Sequence, residues 1–85
     1  MSAAGPRVTL YGKAGCCLCD EAKEALAEVR AGRPFELEEV DVSLDPALNH
    51  EYGERIPVVV VEGEELFEYH VDPPVLRQRL DTLDP

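Results

Sequence analysis

The sequence predicts one α/β domain: a four-stranded mixed sheet with helices on both faces, in the order β-α-β-α-β-β-α. Three observations carry this. In the first half, β-type runs alternate with stretches of helical spacing. In the second half, Pro57-Val58-Val59-Val60-Val61 has the composition of a strand buried on both faces. The turn signal Glu62-Gly63-Glu64 then sends the chain back on itself. The 85 residues suffice for one such domain. Residues 1–85 are therefore read as a single unit, with 1–6 as a flexible N-terminus.

Arg7-Val8-Thr9-Leu10-Tyr11 is the first strand, rich in branched and aromatic residues and broken by Gly12 and Gly15. Residues 19–30 read as a helix. Leu18, Ala22, Ala25, Leu26 and Val29 form its apolar stripe, and Gly32 is its stop. Residues 36–42 read as a second strand. Its alternation changes phase between Phe35/Leu37 and Val40/Val42, so either a bulge or a start near Leu37 is expected. Its three glutamates suit an exposed sheet edge.

Asp45-Pro46 is an N-cap followed by proline at the first helical position, and the short helix runs to Tyr52 with Gly53 at its end. After the valine strand and its turn, residues 66–69 return as the fourth strand. Asp72-Pro73 repeats the cap-and-proline signal. Leu76, Leu80 and Leu83 then mark one face of a final helix. The opening βαβ unit implies two parallel strands with a right-handed crossover.

Composition narrows the function. A net charge of −10 and a pI near 4.4 argue against nucleic acid and anionic membrane as partners. The acid keeps a small domain soluble, or it selects a positively charged partner. No secretory h-region precedes the first strand, and the longest apolar run, 58–61, is too short to span a bilayer. A soluble cytoplasmic protein is the expectation, with nothing that requires more than a monomer.

All three cysteines fall together, as Cys16-Cys17-Leu18-Cys19. In a reducing compartment a close pair is more often catalytic or metal-binding than a structural staple. The outer pair is spaced C-x-x-C between a strand and a helix. A helix N-terminus presents unpaired N–H groups and a partial positive charge, and both stabilise a thiolate. The thiolate is the form that attacks disulfides. Cys17 reads as an exposed turn residue, or as a third redox or metal-binding thiol. His50 and His70 each stand alone and read as surface or packing residues. Tyr11, Tyr52 and Tyr69 read as core or rim.

A C-x-x-C after the first strand of such a pattern is a thioredoxin-like redox motif. The chain resembles glutaredoxins, and among them the small bacterial glutaredoxin-like proteins. The stretches that carry the resemblance are Thr9-Leu10-Tyr11-Gly12-Lys13-Ala14-Gly15-Cys16-Cys17-Leu18-Cys19-Asp20-Glu21-Ala22-Lys23, Asp45-Pro46, Tyr52-Gly53-Glu54-Arg55-Ile56-Pro57-Val58-Val59 and Val71-Asp72-Pro73. The resemblance implies a thioredoxin/glutaredoxin fold, with Cys16 as nucleophile and Cys19 as resolving thiol. Pro57 matches the proline that follows a cis peptide and faces the cysteines. It would leave the backbone of Ile56 free to pair with an extended substrate. Lys13 matches a basic residue three positions before the nucleophile.

The implied activity is thiol–disulfide exchange on a disulfide-bearing protein or small thiol. No cofactor is required, and glutathione is the small thiol that the family suggests. Residues that usually hold it are replaced, however. Arg55-Ile56-Pro57 stands for Thr-Val-Pro, and Tyr69-His70-Val71-Asp72-Pro73 stands where a Gly-Gly pair precedes the last helix. Only Arg55 and Asp72 could meet its charged groups. The helix N-terminus and Lys13 should make Cys16 more acidic, while Asp20 and Glu21 oppose them. Cys16 is therefore expected to be less acidic than in a basic glutaredoxin. Two other readings stay open: a metal-binding or iron–sulfur-carrying module using soft thiolates, and a redox-inactive interaction domain.

Overall fold

Alternation along the first strand decides the layers. In the computed structural model, which describes residues 6–83, β1 runs Arg7–Gly12. Its Val8 and Leu10 are buried under two helices, α1 (Cys17–Gly32) and α3 (Pro73–Leu83). Tyr11, of opposite parity, faces α2 (Pro46–Tyr52), where its ring stacks on Tyr52 at 4.3 Å. The sheet order is β2-β1-β3-β4, with β2 Glu36–Asp41, β3 Val58–Val61 and β4 Glu64–Glu68. β1 and β2 are parallel; β1/β3 and β3/β4 are antiparallel. The four-stranded mixed sheet with helices on both faces is therefore present, and β2 is an edge strand.

The main core joins Val8, Leu10, Ala22, Leu26, Val29, Phe35, Val59, Val61, Leu76 and Leu80. Each is apolar, and all but Phe35, which precedes β2, are spaced to their own element's period. Val58, Val59 and Val61 are fully or almost fully buried, so the valine run is an interior strand. Leu83 packs on the core edge behind Leu76 and Leu80.

Several boundaries differ from the sequence reading, each for a local reason. Helix α1 starts at Cys17 and not at Cys19, because Cys16 is its N-cap. Its buried stripe is Cys19, Ala22, Leu26 and Val29; Leu18 and Ala25 are half-buried. Gly32 is the last helical residue and not a left-handed stop. The Arg33 N–H closes the helix on the Val29 carbonyl at 2.8 Å.

β2 pairs with β1 in unbroken register from Arg7↔Glu36 to Gly12↔Asp41, so it holds no bulge and starts at Glu36. Its apparent change of phase arises because Phe35 precedes the strand and Val42 already belongs to a 3₁₀ turn, Val42–Leu44. The irregularity lies in the β3/β4 ladder. Val59 pairs with Phe67 and Val60 with Glu65, leaving Leu66 as the extra residue. Leu66 and Phe67, though adjacent, both pack on the core.

The turn joining β3 to β4 places Glu62 at φ 51° and Gly63 at φ 85°, the two positive values that a type I′ hairpin requires. Of the N-terminal segment, residues 1–5 lie outside the described residues. Pro6 is tied down, its carbonyl accepting from Glu36 N at 2.9 Å.

Helix α2 is short and has no buried residue of its own, so its cap matters. Asp45 Oδ1 accepts from Ala47 N at 2.9 Å and Leu48 N at 3.4 Å. Asp45→Ala should lower stability by about 1 kcal/mol, read as a lower urea midpoint with an unchanged slope. At α3 the expected cap differs: the Asp72 carbonyl accepts from Leu76 N, while its carboxylate is exposed.

Candidate active site

At the C-terminal end of β1 the chain turns through Gly15 (φ 80°) and enters α1. This brings Cys16 to the helix N-cap with extended backbone (φ −95°, ψ 117°). Its Sγ accepts from the Cys19 backbone N–H at 3.3 Å, the bond that an N-cap side chain makes to the third helical residue. Cys16 is partly exposed, Cys17 exposed, and Cys19 2% exposed; all three are thiols.

The environment splits the outer pair. Cys16 is held below the ordinary thiol value, chiefly by the hydrogen bond from the Cys19 thiol, then by the Cys19 and Leu18 backbone N–H groups and the Lys13 charge. Cys19 is pushed up to about 11, chiefly by burial, with the Cys16 sulfur as the next cause. The site therefore pairs a partly exposed thiol of lowered pKa with a buried thiol of raised pKa. The sequence reading named the helix N-terminus and Lys13 but missed the larger donor, Cys19 itself. The opposition from Asp20 falls elsewhere: its charge raises Cys19. Cys19→Ala is expected to raise the Cys16 pKa more than Lys13→Met does. The midpoint of its alkylation rate against pH reads this directly.

Gly12 explains how Cys19 fits. A Cβ on Gly12 would lie 2.8 Å from Cys19 Sγ and 3.4 Å from its Cβ. The buried thiol rests on bare backbone.

Ile56 packs into the same cluster as Cys19 and Val42, with Cys16, Tyr11 and Tyr52 at its edge. The Ile56-Pro57 peptide is cis and Pro57 is buried. The Pro57 carbonyl accepts from Tyr69 N at 2.8 Å, and the Tyr69 hydroxyl donates to the Glu54 carbonyl at 3.1 Å. The backbone of Ile56 makes no hydrogen bond to another described residue.

Arg55 and Asp72 are both expected to meet substrate. Arg55 is engaged by Glu65 and Glu68, at 2.9 and 2.6 Å. Asp72 is exposed at the start of α3. His50, in the last turn of α2, and His70 are exposed. Among the described residues no three His, Cys, Asp or Glu side chains converge to hold a metal ion.

One feature escaped the sequence reading. A cavity of about 190 Å³ opens between β1, β2 and α1, lined by Lys13, Cys19, Lys23, Glu39 and Asp41. The parallel register places Glu39 beside Leu10 and Asp41 beside Gly12, on the sheet face that carries Cys19. Lys23 Nζ lies 3.4 Å from Glu39. Asp41 is held below the usual carboxylate range by the Ser43 hydroxyl and N–H. Period-two alternation counted from the β1/β2 pairing would have found both acids.

Known proteins are similar to this chain in sequence and fold. An uncharacterized protein of Mycobacterium tuberculosis, Rv0508, is 36% identical over 77 residues, spanning 85% of this chain and 79% of its own. The crystal structure of the X. campestris protein XcR50 superposes with a TM-score of 0.74 at 43% identity, over 88% of this chain and 96% of that one. A thioredoxin variant from Halobacterium salinarum NRC-1 matches with a TM-score of 0.69 at 19% identity, over 94% and 75%. That likeness shows the thioredoxin fold. The model of the Glutaredoxin-like domain (DUF836) matches residues 7–81, nearly the whole chain, and the protein belongs to that family.

Proposed function

We propose that this protein is a thiol–disulfide oxidoreductase acting through Cys16 and Cys19. One observation carries the reading: a partly exposed, acidified thiol caps α1 while a buried, hydrogen-bonded thiol waits three residues on.

The Cys16 thiolate attacks a substrate disulfide. A Cys16–substrate S–S bond forms, the substrate's own S–S bond breaks, and the departing thiolate takes a proton from solvent. This step changes Cys19. Its thiol is raised in part by the neighbouring Cys16 sulfur and its charge, and both influences disappear once Cys16 is bonded. Cys19 then loses its proton more readily. The cavity behind it, roomy enough for water and edged by Lys13, Lys23, Glu39 and Asp41, is the route outward. Cys19 attacks Cys16 Sγ, the mixed disulfide breaks, and the second substrate thiol leaves. The substrate gains two electrons and the protein holds a Cys16–Cys19 disulfide, which an external dithiol resets.

The unpaired Ile56 backbone is where an extended substrate would add, beside the sulfurs. Lys13 favours the thiolate; Cys17 takes no part. No resident cofactor is needed. The substrate is a disulfide-bearing protein or small molecule, met by a monomer in a reducing compartment such as the cytoplasm. The absence of any helix long and apolar enough to cross a membrane, among the described residues, is consistent with this.

The test is turnover of the neutral bis(2-hydroxyethyl) disulfide with a dithiol as reductant, alongside metal analysis of protein purified without chelator. Catalysis that saturates and is lost in Cys16→Ser supports the reading. Stoichiometric metal and no turnover contradict it.

A further inference from the structure

Arg55 stands two residues before Pro57 and lies over the Tyr52 ring at 5.2 Å. Tyr52 in turn packs against the Cys19–Ile56 cluster. The Arg55 guanidinium thus flanks the tyrosine at the edge of that cluster, two residues before the buried proline. A free guanidinium there would meet carboxylates of an incoming anionic thiol.

It is not free. Nη1 donates to Glu65 Oε1 at 2.9 Å and to Glu68 Oε2 at 2.6 Å. Nη2 donates to the Glu51 carbonyl at 3.2 Å and to Glu65 Oε2 at 3.4 Å, and it lies 3.6 Å from the Glu51 carboxylate. Nε reaches the Glu51 carbonyl at 3.4 Å. All three nitrogens are engaged. Three carboxylates surround one guanidinium, so this flank of the site carries excess negative charge.

The segment is also held from the β4 side. Tyr69, itself at φ 69°, bonds the Pro57 and Glu54 carbonyls that bracket it. Arg55 therefore cannot turn to a ligand without breaking contacts to α2 and β4 together.

We propose that Arg55, locked by Glu51, Glu65 and Glu68, sets the charge selectivity of the site, so that anionic disulfides, glutathione disulfide included, are disfavoured against neutral and cationic ones. This rests on the exchange reading above. The recognition is electrostatic and acts mainly on encounter and ground-state binding, so it shows in KM and weakens with salt.

The experiment compares three disulfides at low salt: dianionic glutathione disulfide, neutral bis(2-hydroxyethyl) disulfide and dicationic cystamine. The wild type should favour cystamine over glutathione disulfide roughly tenfold in kcat/KM, through KM, with the gap narrowing as salt rises. The double variant Glu65→Gln/Glu68→Gln keeps hydrogen-bond acceptors but removes two negative charges. Its anionic-to-neutral ratio should rise roughly tenfold. Arg55→Gln should move the same ratio the other way. Ratios within one preparation do not depend on the fraction folded, and opposite shifts are not expected from lost stability.

Equal kcat/KM for cystamine and glutathione disulfide, or an unmoved ratio in both variants, overturns the inference alone. No turnover of the neutral disulfide overturns the exchange reading and this inference with it.

Discussion

Replacing Cys16 by serine is expected to reduce disulfide turnover by on the order of 10³-fold or more, because a hydroxyl is not ionised where a thiolate is. Replacing Cys19 by serine is expected to do something different. The first attack still occurs, but no internal thiol releases the product. The variant should therefore accumulate a mixed disulfide on Cys16, visible as an added substrate mass that a dithiol removes. The asymmetry follows from the site: Cys16 is partly exposed and acidified, and Cys19 is buried and raised to about 11. Cys17→Ser, at an exposed position, should leave both steps intact. If Cys19→Ser lost the first attack as fully as Cys16→Ser, the division of roles would be wrong.

The second large effect is expected at Gly12. Its backbone carries the Cys19 side chain, and a Cβ there would sit 2.8 Å from Sγ, closer than such contacts allow. Gly12→Ala forces the thiol or the first turn of α1 to move, an overpacking cost of about 1–3 kcal/mol. Gly12→Val should cost more, since two further methyl groups enter the same space. The displaced Cys19 no longer donates well to Cys16, and that donation is the main cause of Cys16's acidity. Two readouts should therefore move together: a lower urea midpoint and a Cys16 alkylation midpoint shifted to higher pH. A stable Gly12→Val protein with an unshifted Cys16 would contradict the packing described.

The sequence reading succeeded where one residue type answers one physical demand. The four valines of β3 could only be an interior strand, and Asp45-Pro46 could only open a helix. Glu62-Gly63 supplied the turn. The family resemblance added the Ile56-Pro57 cis peptide, which composition does not reveal. The reading was weaker where the outcome depends on contacts distant in sequence. Cysteine is a poor N-cap by preference, so the start of α1 was placed two residues late; the Cys16 sulfur caps it all the same.

The phase change near Phe35 looked like a bulge in β2. The actual irregularity, at Leu66, is set by β3/β4 pairing that no local pattern records. The resemblance offers Arg55 as a ligand for substrate and the sequence shows acids near it, but only the β3/β4 pairing reveals that Glu65 and Glu68 close on its guanidinium together with Glu51. Edge composition marks Glu39 as solvated charge and does not single out Asp41; the register with β1 places both on the face that carries Cys19.

The most direct test of the central claim is to oxidise the purified protein with one equivalent of a small disulfide, block free thiols, and map the products by mass spectrometry. The account predicts loss of two hydrogens per chain, a Cys16–Cys19 disulfide, and Cys17 recovered as the only blocked cysteine. A disulfide involving Cys17, or three thiols that remain blockable after oxidation, would contradict it.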